Sequence, residues 1–449
     1  MKIGVFGTGY VGLVTAACLS DVGHYVIAMD KDADKIHQLQ QGQIPFFEPG
    51  LHELVVHNQN HKRLQFVTDA SKVALSSDLV FVAVGTPYSD QGEADISALW
   101  DIIHVMEQLI ASSSSPQKLS LIIKSTVPIG TCELIQDHFN RSLSPVHVVE
   151  VISNPEFLKE GSAVMDFLKP DRVIVGCHSK EAKELMISLY TPFVRSGKPI
   201  LMMSRTSAEL TKYASNSFLA MKISFINLIS TFCENVGGAD IEDVRKGMMT
   251  DSRIGSQFLY AGCGYGGSCF SKDVQALSAS GKKLGISEQS LTFLNAIEWV
   301  NETQKGLLFE KLKQHLSDNL KDKKIAIWGL SFKPMTDDVR QAPSLVTISL
   351  LLQEQAILCA YDPVVKEASL KQMLTANDKF NRLQIVGDPY QAVLDADALL
   401  IHTEWHEFRH PDFTRLKILM KTPLVIDGRN LFEPEVMKKN GFKYVCIGR

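Results

Sequence analysis

The sequence predicts an α/β protein with a doubly wound parallel-sheet domain at each end and a long helix between them. Three observations predict it. A glycine-rich turn separates an apolar strand from an apolar helix near the start of the chain; the same pattern returns at residues 323–362; and Ser207 to about Val236 form a helical pattern without Gly or Pro. At about 150 residues per domain, 449 residues make roughly three domains.

Each element follows from its residues. KIGVFGTG (2–9) reads as a buried strand entering a glycine turn, YVGLVTAACLSDVG as a helix stopping at Gly23, and HYVIAMD as a second strand ending at Asp30, which together make a βαβ unit. The runs at 78–87, 119–128 and 147–157 read as further parallel strands whose polar carboxyl ends form a ligand crevice. Ser112 to Pro116 is a surface loop. The glycine-rich segment AGCGYGGSCF (261–270) interrupts the next helical region, which resumes to about Gln314. KKIAIWGLSFKP, a helix from about Ser344, a strand ending at Asp362, and the strands in ADALLIHTEW and TPLVIDGRN make a second α/β domain.

Composition narrows the function. Lys plus Arg total 46 against 50 Asp plus Glu, and a net charge of −4 leaves no electrostatic footprint for nucleic acid or an anionic membrane, so small-molecule partners are expected. Eight Cys without CxxC pairs fit a reducing, cytoplasmic setting. No uncharged apolar run approaches the ~18 residues of a membrane span, and the 207–236 helix is expected to be too polar to cross one. Lys2 and the apolar stretch after it imitate a signal peptide, but the strand, turn and helix account for the same residues.

Gly7, Gly9 and Gly12 fit G-x-G-x-x-G: the first makes the turn, the second admits a pyrophosphate to the backbone, and the third packs helix on strand. Asp30 stands 18 residues after Gly12, where a carboxylate binds ribose hydroxyls and repels a 2′-phosphate. This points to NAD rather than NADP, although Lys31 and Lys35 oppose the preference. Cys269, in GYGGSCFSKD with Lys272 and Asp273 beside it, has the setting of a nucleophile and equally the size of a buried packing residue. Lys212 and Asn216 share a helix face at i and i+4 and can hold an oxyanion, or be a solvated face. Glu156 and Glu160 follow a strand end, as helix-start acids also do. HEFRH (406–410) matches the zinc-peptidase signature H-E-x-x-H, but Pro411 biases His410 away from the helix that this chemistry needs, so no metal is expected. His52, His57 and His61 read as exposed positions on a polar helix.

Ordered motifs spread over nearly the whole chain resemble the UDP-glucose/GDP-mannose dehydrogenase family: GTGYVG at 7–12, VGTP at 84–87, STVPIGT at 125–131, SNPEFLKEGSA at 153–163, PDRVIVG at 170–176, ELTKYASN at 209–216, GYGGSCFSKD at 264–273 and GLSFKPMTDDVR at 329–340. The resemblance implies two Rossmann-like domains joined by a long central helix: an NAD-binding domain at 1–203, a central helical domain with the cysteine loop at 204–305, and a UDP-sugar-binding domain at 306–449. It implies four-electron, NAD-dependent oxidation of a nucleotide sugar at C6, and a homodimer. PDRVIVG and FLYAG favour UDP-glucose, giving UDP-glucuronate for polysaccharide synthesis, over GDP-mannose or a UDP-N-acetylhexosamine.

By the same resemblance, Cys269 is the nucleophile and Lys212, Asn216 and Asp273 surround the reacting carbon. Glu156 acts as general base for thioester hydrolysis, and Thr126 helps to place water. Gly7, Gly9, Tyr10, Val11, Gly12, Asp30, Lys35, Thr86, Thr126, Glu160, Lys272 and Arg340 meet the cofactor. The nucleotide sugar falls to Phe157, Leu158, Lys159, Glu160, Lys212, Asn216, Arg253, Phe258, Leu259, Tyr260, Ala261, Gly262, Gly266 and Lys333. Ser271 and Cys263 stand where the family commonly has proline, which implies a less rigid loop with its reactive side chains intact.

Overall fold

The structure is a computed structural model that describes residues 1–88, 92–316, 318–374 and 380–449. The chain divides into two compact units, Met1–Ser215 with Gln275–Gly285, and Asn216–Val274 with Ile286–Arg449.

The first unit holds β1 (Lys2–Phe6), β2 (Tyr25–Met29), β3 (Leu64–Val67), β4 (Leu79–Val82), β5 (Lys118–Ile123), β6 (Val148–Ser153), β7 (Val173–Gly176) and β8 (Ile200–Met203). They form one sheet in the order β3-β2-β1-β4-β5-β6-β7-β8. Pairing is parallel except where β6 meets β7 antiparallel at Ser153 and Gly176. Alternation builds both faces: Ile3, Val5, Leu79 and Phe81 enter one apolar cluster, while Phe6, Val80 and Val82 enter the other. The stretch that imitates a signal peptide is β1 and the helix Tyr10–Asp21, whose residues Gly12 to Ser20 are buried.

The second unit repeats the winding with β9 (Lys324–Trp328), β10 (Ile357–Tyr361), β11 (Leu383–Ile385), β12 (Ala398–Ile401), β13 (Leu424–Asp427) and β14 (Lys443–Val445), ordered β11-β10-β9-β12-β13-β14 and all parallel. In each sheet the order reverses beside the first strand, which makes the switch point where α/β proteins bind ligands. The two turns are built alike: Gly7 N–H donates to the Met29 carbonyl at 2.8 Å, and Gly329 N–H to that of Tyr361 at 2.8 Å.

The long helix spans Arg205–Val236, 32 residues. The expectation that it is too polar to cross a membrane needs correcting, since by length and composition alone it is long and apolar enough. Several of its buried polar residues have partners inside the protein instead. Glu209 accepts from the N–H groups of Gly130 and Cys132, Ser224 donates to the Ile297 carbonyl, and Asn227 accepts from Gly262 N–H. That pattern marks a core helix.

HEFRH is no continuous α-helix: His406–Phe408 form one 3₁₀ turn, and Arg409 and His410 lie outside it. The two histidines therefore lack the shared helical face that the zinc chemistry requires. His52, His57 and His61 are all exposed.

Candidate active site

In the first unit the glycine turn opens the helix Tyr10–Asp21 at the carboxyl end of β1. Gly7 has φ +95°, and a Cβ there would lie 2.6 Å from the Ala83 carbonyl oxygen; one on Gly12 would lie 1.9 Å from that of Gly7. A Cβ on Gly9 would meet nothing within 4 Å, so the turn offers a bare face at a helix N-terminus, where backbone N–H groups favour a phosphate. Val11 lies in the first helical turn, and its carbonyl accepts from the Thr15 hydroxyl.

Asp30 closes the strand after the turn. Its Oδ2 accepts from Thr8 N–H at 3.0 Å, the Thr8 hydroxyl at 2.9 Å and Lys35 Nζ at 3.0 Å. Burial alone would raise its pKa, but these bonds hold the carboxyl below its ordinary range. Asp30 therefore presents a fixed anion near the bare turn.

Two further strand ends join this crevice. Thr86, buried after β4, donates to the Thr126 carbonyl at 2.8 Å, linking the loops after β4 and β5. Glu209 pins the start of the next helix through Gly130 and Cys132. Tyr10 OH hydrogen-bonds Glu48, which accepts from Gly161 N–H at 2.6 Å. This holds the half-buried Glu160 segment beside the glycine turn.

After β6, Glu156 is buried, and its Oε1 accepts from Lys212 Nζ at 2.8 Å. Its Oε2 accepts from Leu158 N–H at 2.6 Å. Burial raises the carboxyl, but Lys212 outweighs it and the pKa lies below the ordinary value. The Phe157 ring carries the Arg172 guanidinium 3.8 Å above it and Lys212 Nζ at 5.2 Å. Lys159 is exposed and pairs with Asp166 at 3.0 Å.

The second unit carries the cysteine loop. Cys269 is the exposed one among eight free cysteines and stands directly before the helix Phe270–Lys283, its carbonyl accepting from Asp273 N–H at 2.9 Å. Asn216 Nδ2 donates to Asp273 Oδ2 at 2.6 Å, and Lys272 Nζ lies 3.6 Å from Asp273 Oδ1. Gly262 is held from both sides, its N–H by Asn227 and its carbonyl by Gln304. Close backbone explains Gly266, where a Cβ would lie 2.5 Å from the Gln341 carbonyl oxygen.

The remaining candidates are spread over this unit. Leu259 and Ala261 are buried; Tyr260 is exposed beneath the Arg245 guanidinium; Phe258 has φ +63° and packs near Phe270. Lys333 sits over Phe332, while Arg253 and Arg340 are exposed and pair with Asp251 and Asp338. Ser271 lies in the first turn of its helix, where proline is tolerated, whereas Cys263 N–H donates to the Gly428 carbonyl at 2.9 Å, a bond that proline cannot make.

Sequence reasoning missed Glu48, Lys124, Arg172 and Glu209. Arg172 lies within PDRVIVG and Lys124 directly precedes STVPIGT, so both were within reach of the motifs. Glu209 opens ELTKYASN and was within reach as well, whereas Glu48 carries no local signal because its partners, the Tyr10 hydroxyl and the Gly161 N–H, lie far from it in sequence.

A 3-2-1-4-5-6 sheet with a bare glycine turn and a strand-end carboxylate at its switch point defines a dinucleotide-binding α/β protein of the dehydrogenase class. The chain belongs to the UDP-glucose/GDP-mannose dehydrogenase family: residues 1–194 match its NAD binding domain, 206–303 its central domain and 326–434 its UDP binding domain. It is 44% identical to a UDP-glucose 6-dehydrogenase of Pseudomonas aeruginosa, covering 100% of this chain and 98% of that protein. The structure resembles that of a UDP-glucose dehydrogenase from Pyrobaculum islandicum, with TM-score 0.88 and 32% identity over 99% of this chain and 96% of that one. It also resembles a UDP-D-ManNAc dehydrogenase from Pyrococcus horikoshii, with TM-score 0.82 and 25% identity over 100% and 99%. NAD is the cofactor, and the bare Gly9 face and fixed Asp30 anion fit it.

Proposed function

We propose that this chain oxidises UDP-glucose at C6 to UDP-glucuronate by four electrons, with Cys269 holding the carbon between the two oxidations. The observation that carries this reading is Cys269 itself, the one exposed thiol, set at a helix N-terminus beside the Asn216–Asp273 hydrogen bond. A helix N-terminus favours negative charge, and hence the thiolate. Bound NAD⁺ supplies the hydride acceptor for each oxidation.

The chemistry balances. The C6 alcohol loses a hydride and a proton to give the aldehyde, and the Cys269 sulfur adds to that carbon to form a thiohemiacetal. A second hydride and proton leave to give the thioester. Water then attacks, the C–S bond breaks, and the carboxylate departs while sulfur recovers its proton. Each sugar consumes two NAD⁺ and one water and releases two NADH and three protons.

Glu156 suits the base that deprotonates this water, since Lys212 keeps it ionised despite burial. Lys212 and Asn216, four residues apart on one helix, supply donors for the oxyanion at each tetrahedral stage. Thr126 helps to place the water, and Phe157 to Glu160, Arg253, Phe258 to Gly262, Gly266 and Lys333 hold the nucleotide sugar. Glu160, Lys272 and Arg340 extend the cofactor contacts of Gly7 to Gly12, Asp30, Lys35, Thr86 and Thr126.

A homodimer belongs to the same reading. Phe218, Phe225 and Phe232 recur every seven residues on the long helix and remain 59%, 46% and 60% exposed, a seam suited to a second copy. The free thiols suit a reducing cytoplasm, and the product is a carboxylated precursor for polysaccharide.

The test is an NADH assay over UDP-glucose, GDP-mannose and UDP-N-acetylhexosamines, with product stoichiometry. The expected result is two NADH per UDP-glucose without free aldehyde. Cys269→Ala loses net four-electron oxidation, and Cys269→Ser accumulates a sugar-nucleotide adduct visible by intact mass. Near-normal turnover by Cys269→Ala, or one NADH with released aldehyde, overturns the covalent route. A clear preference for a UDP-N-acetylhexosamine overturns the sugar assignment.

A further inference from the structure

His104 and Glu107 lie one turn apart on the helix Ser97–Ala111, and His138 reaches them from the helix Thr131–Ser142. Glu107 Oε2 is 2.9 Å from His138 Nε2 and 3.6 Å from His104 Nδ1, and one ligand atom from each residue lies within 4.8 Å of the others. None of the three belongs to the catalytic or cofactor set above.

The surroundings orient these groups. Trp100, one turn before His104, packs 5.9 Å from that ring and stands edge-on to His138 at 5.6 Å. The two imidazoles meet edge-on at 5.3 Å, and His138 also packs on Phe139. Burial raises the Glu107 carboxyl, but hydrogen bonds from His138 and Ser142 hold it below its ordinary range, so it stays ionised.

We propose that His104, Glu107 and His138 form a binding site for one divalent transition-metal ion of the zinc, nickel and copper group, clamping these two helices together. Two imidazole nitrogens and a carboxylate are a borderline-soft donor set that suits these ions over Mg²⁺ or Ca²⁺. Bonds of about 2.0 to 2.1 Å to a tetrahedral ion place donor atoms roughly 3.4 Å apart. His104, whose side chain is 55% exposed, is free to swing that far, while His138 and Glu107 at 26% and 25% provide the fixed side. Water completes the coordination from the open face.

The competing account is an imidazole–carboxylate contact that ties the helices without a metal. The experiment uses the full chain, stripped with a chelator, with Cys269→Ala as background to remove the exposed thiol. Zn²⁺ and Ni²⁺ are titrated by calorimetry, and Co²⁺ is followed by its visible absorption. We expect one equivalent bound, weakened at least tenfold by His104→Ala and by His138→Ala. Thermal melting verifies that both variants fold. Ni²⁺ should quench fluorescence in the parent and much less in Trp100→Phe, which still binds the metal by calorimetry. Affinity unchanged in both histidine variants, or no saturable binding in the parent, overturns the site and leaves the contact alone.

Discussion

Lys212 Nζ donates to Glu156 Oε1 at 2.8 Å with the two side chains only 4% and 8% exposed, so the proposed base and one oxyanion donor form a buried ion pair within the first unit. Burying two charges is costly, and a pair so placed is justified by what it keeps ready more than by stability.

Removing one partner is therefore severe. Lys212→Met should cost about 3 to 5 kcal/mol in denaturant unfolding, because an ionised carboxylate is left buried. Lys212→Met with Glu156→Leu should recover much of that loss while remaining inactive. The folded Glu156 pKa lies below its ordinary 4.5. Its contribution is therefore present above that value and lost as pH falls through the lower folded one. Equal stability of the single and double variants would show that the carboxylate left alone carries no burial cost.

Lys124 carries the opposite sign. It is buried with Nζ 3.1 Å from Asn154 Oδ1, and burial pulls its pKa from 10.5 to about 8. Below pH 8 both folded and unfolded chains are protonated, and the full cost of burying the ammonium is felt. From pH 8 to 10.5 the folded chain loses its proton first, so stability relative to Lys124→Met should rise with pH, by up to about 3 kcal/mol. Urea unfolding of both proteins at pH 8 and pH 10 measures the difference; a flat difference refutes the burial argument.

Asp30→Asn should weaken discrimination against NADP⁺ by about tenfold or more in kcat/KM, because it removes the charge facing a 2′-phosphate and frees Lys35 to meet it. The steady-state ratio of the two cofactors reads this directly. An unchanged ratio would place the discrimination elsewhere.

The two departures from the family pattern should respond oppositely to proline. Ser271→Pro lies in a first helical turn and should stabilise by about 0.4 to 1 kcal/mol through the unfolded state. Cys263→Pro deletes the N–H that meets the Gly428 carbonyl in a buried place and should cost about 1 to 3 kcal/mol. Melting curves of the two variants that shift in the same direction would count against this reading of the loop.

Wherever the chemistry is local, the sequence by itself determined the outcome. Gly7, Gly9, Gly12 and Asp30 are read from spacing because one turn and one strand fix their geometry, and the second α/β domain is legible because the same apolar strand, turn and helix recur at residues 323–362. The failure of HEFRH was visible too, since Pro411 acts on its immediate neighbour. Tertiary structure decided what depends on distant partners. Lys212 and Asn216 look like a solvated helix face until Glu156, 56 residues away, and Asp273, 57 residues away, supply their acceptors. The long helix looks apolar enough for a membrane by composition, and only partners such as Gly130, Ile297 and Gly262 reveal a core helix. Spacing encodes what a backbone does over a few residues; a buried charge or hydrogen bond is satisfied by whichever group the fold brings to it, and no local pattern records that choice.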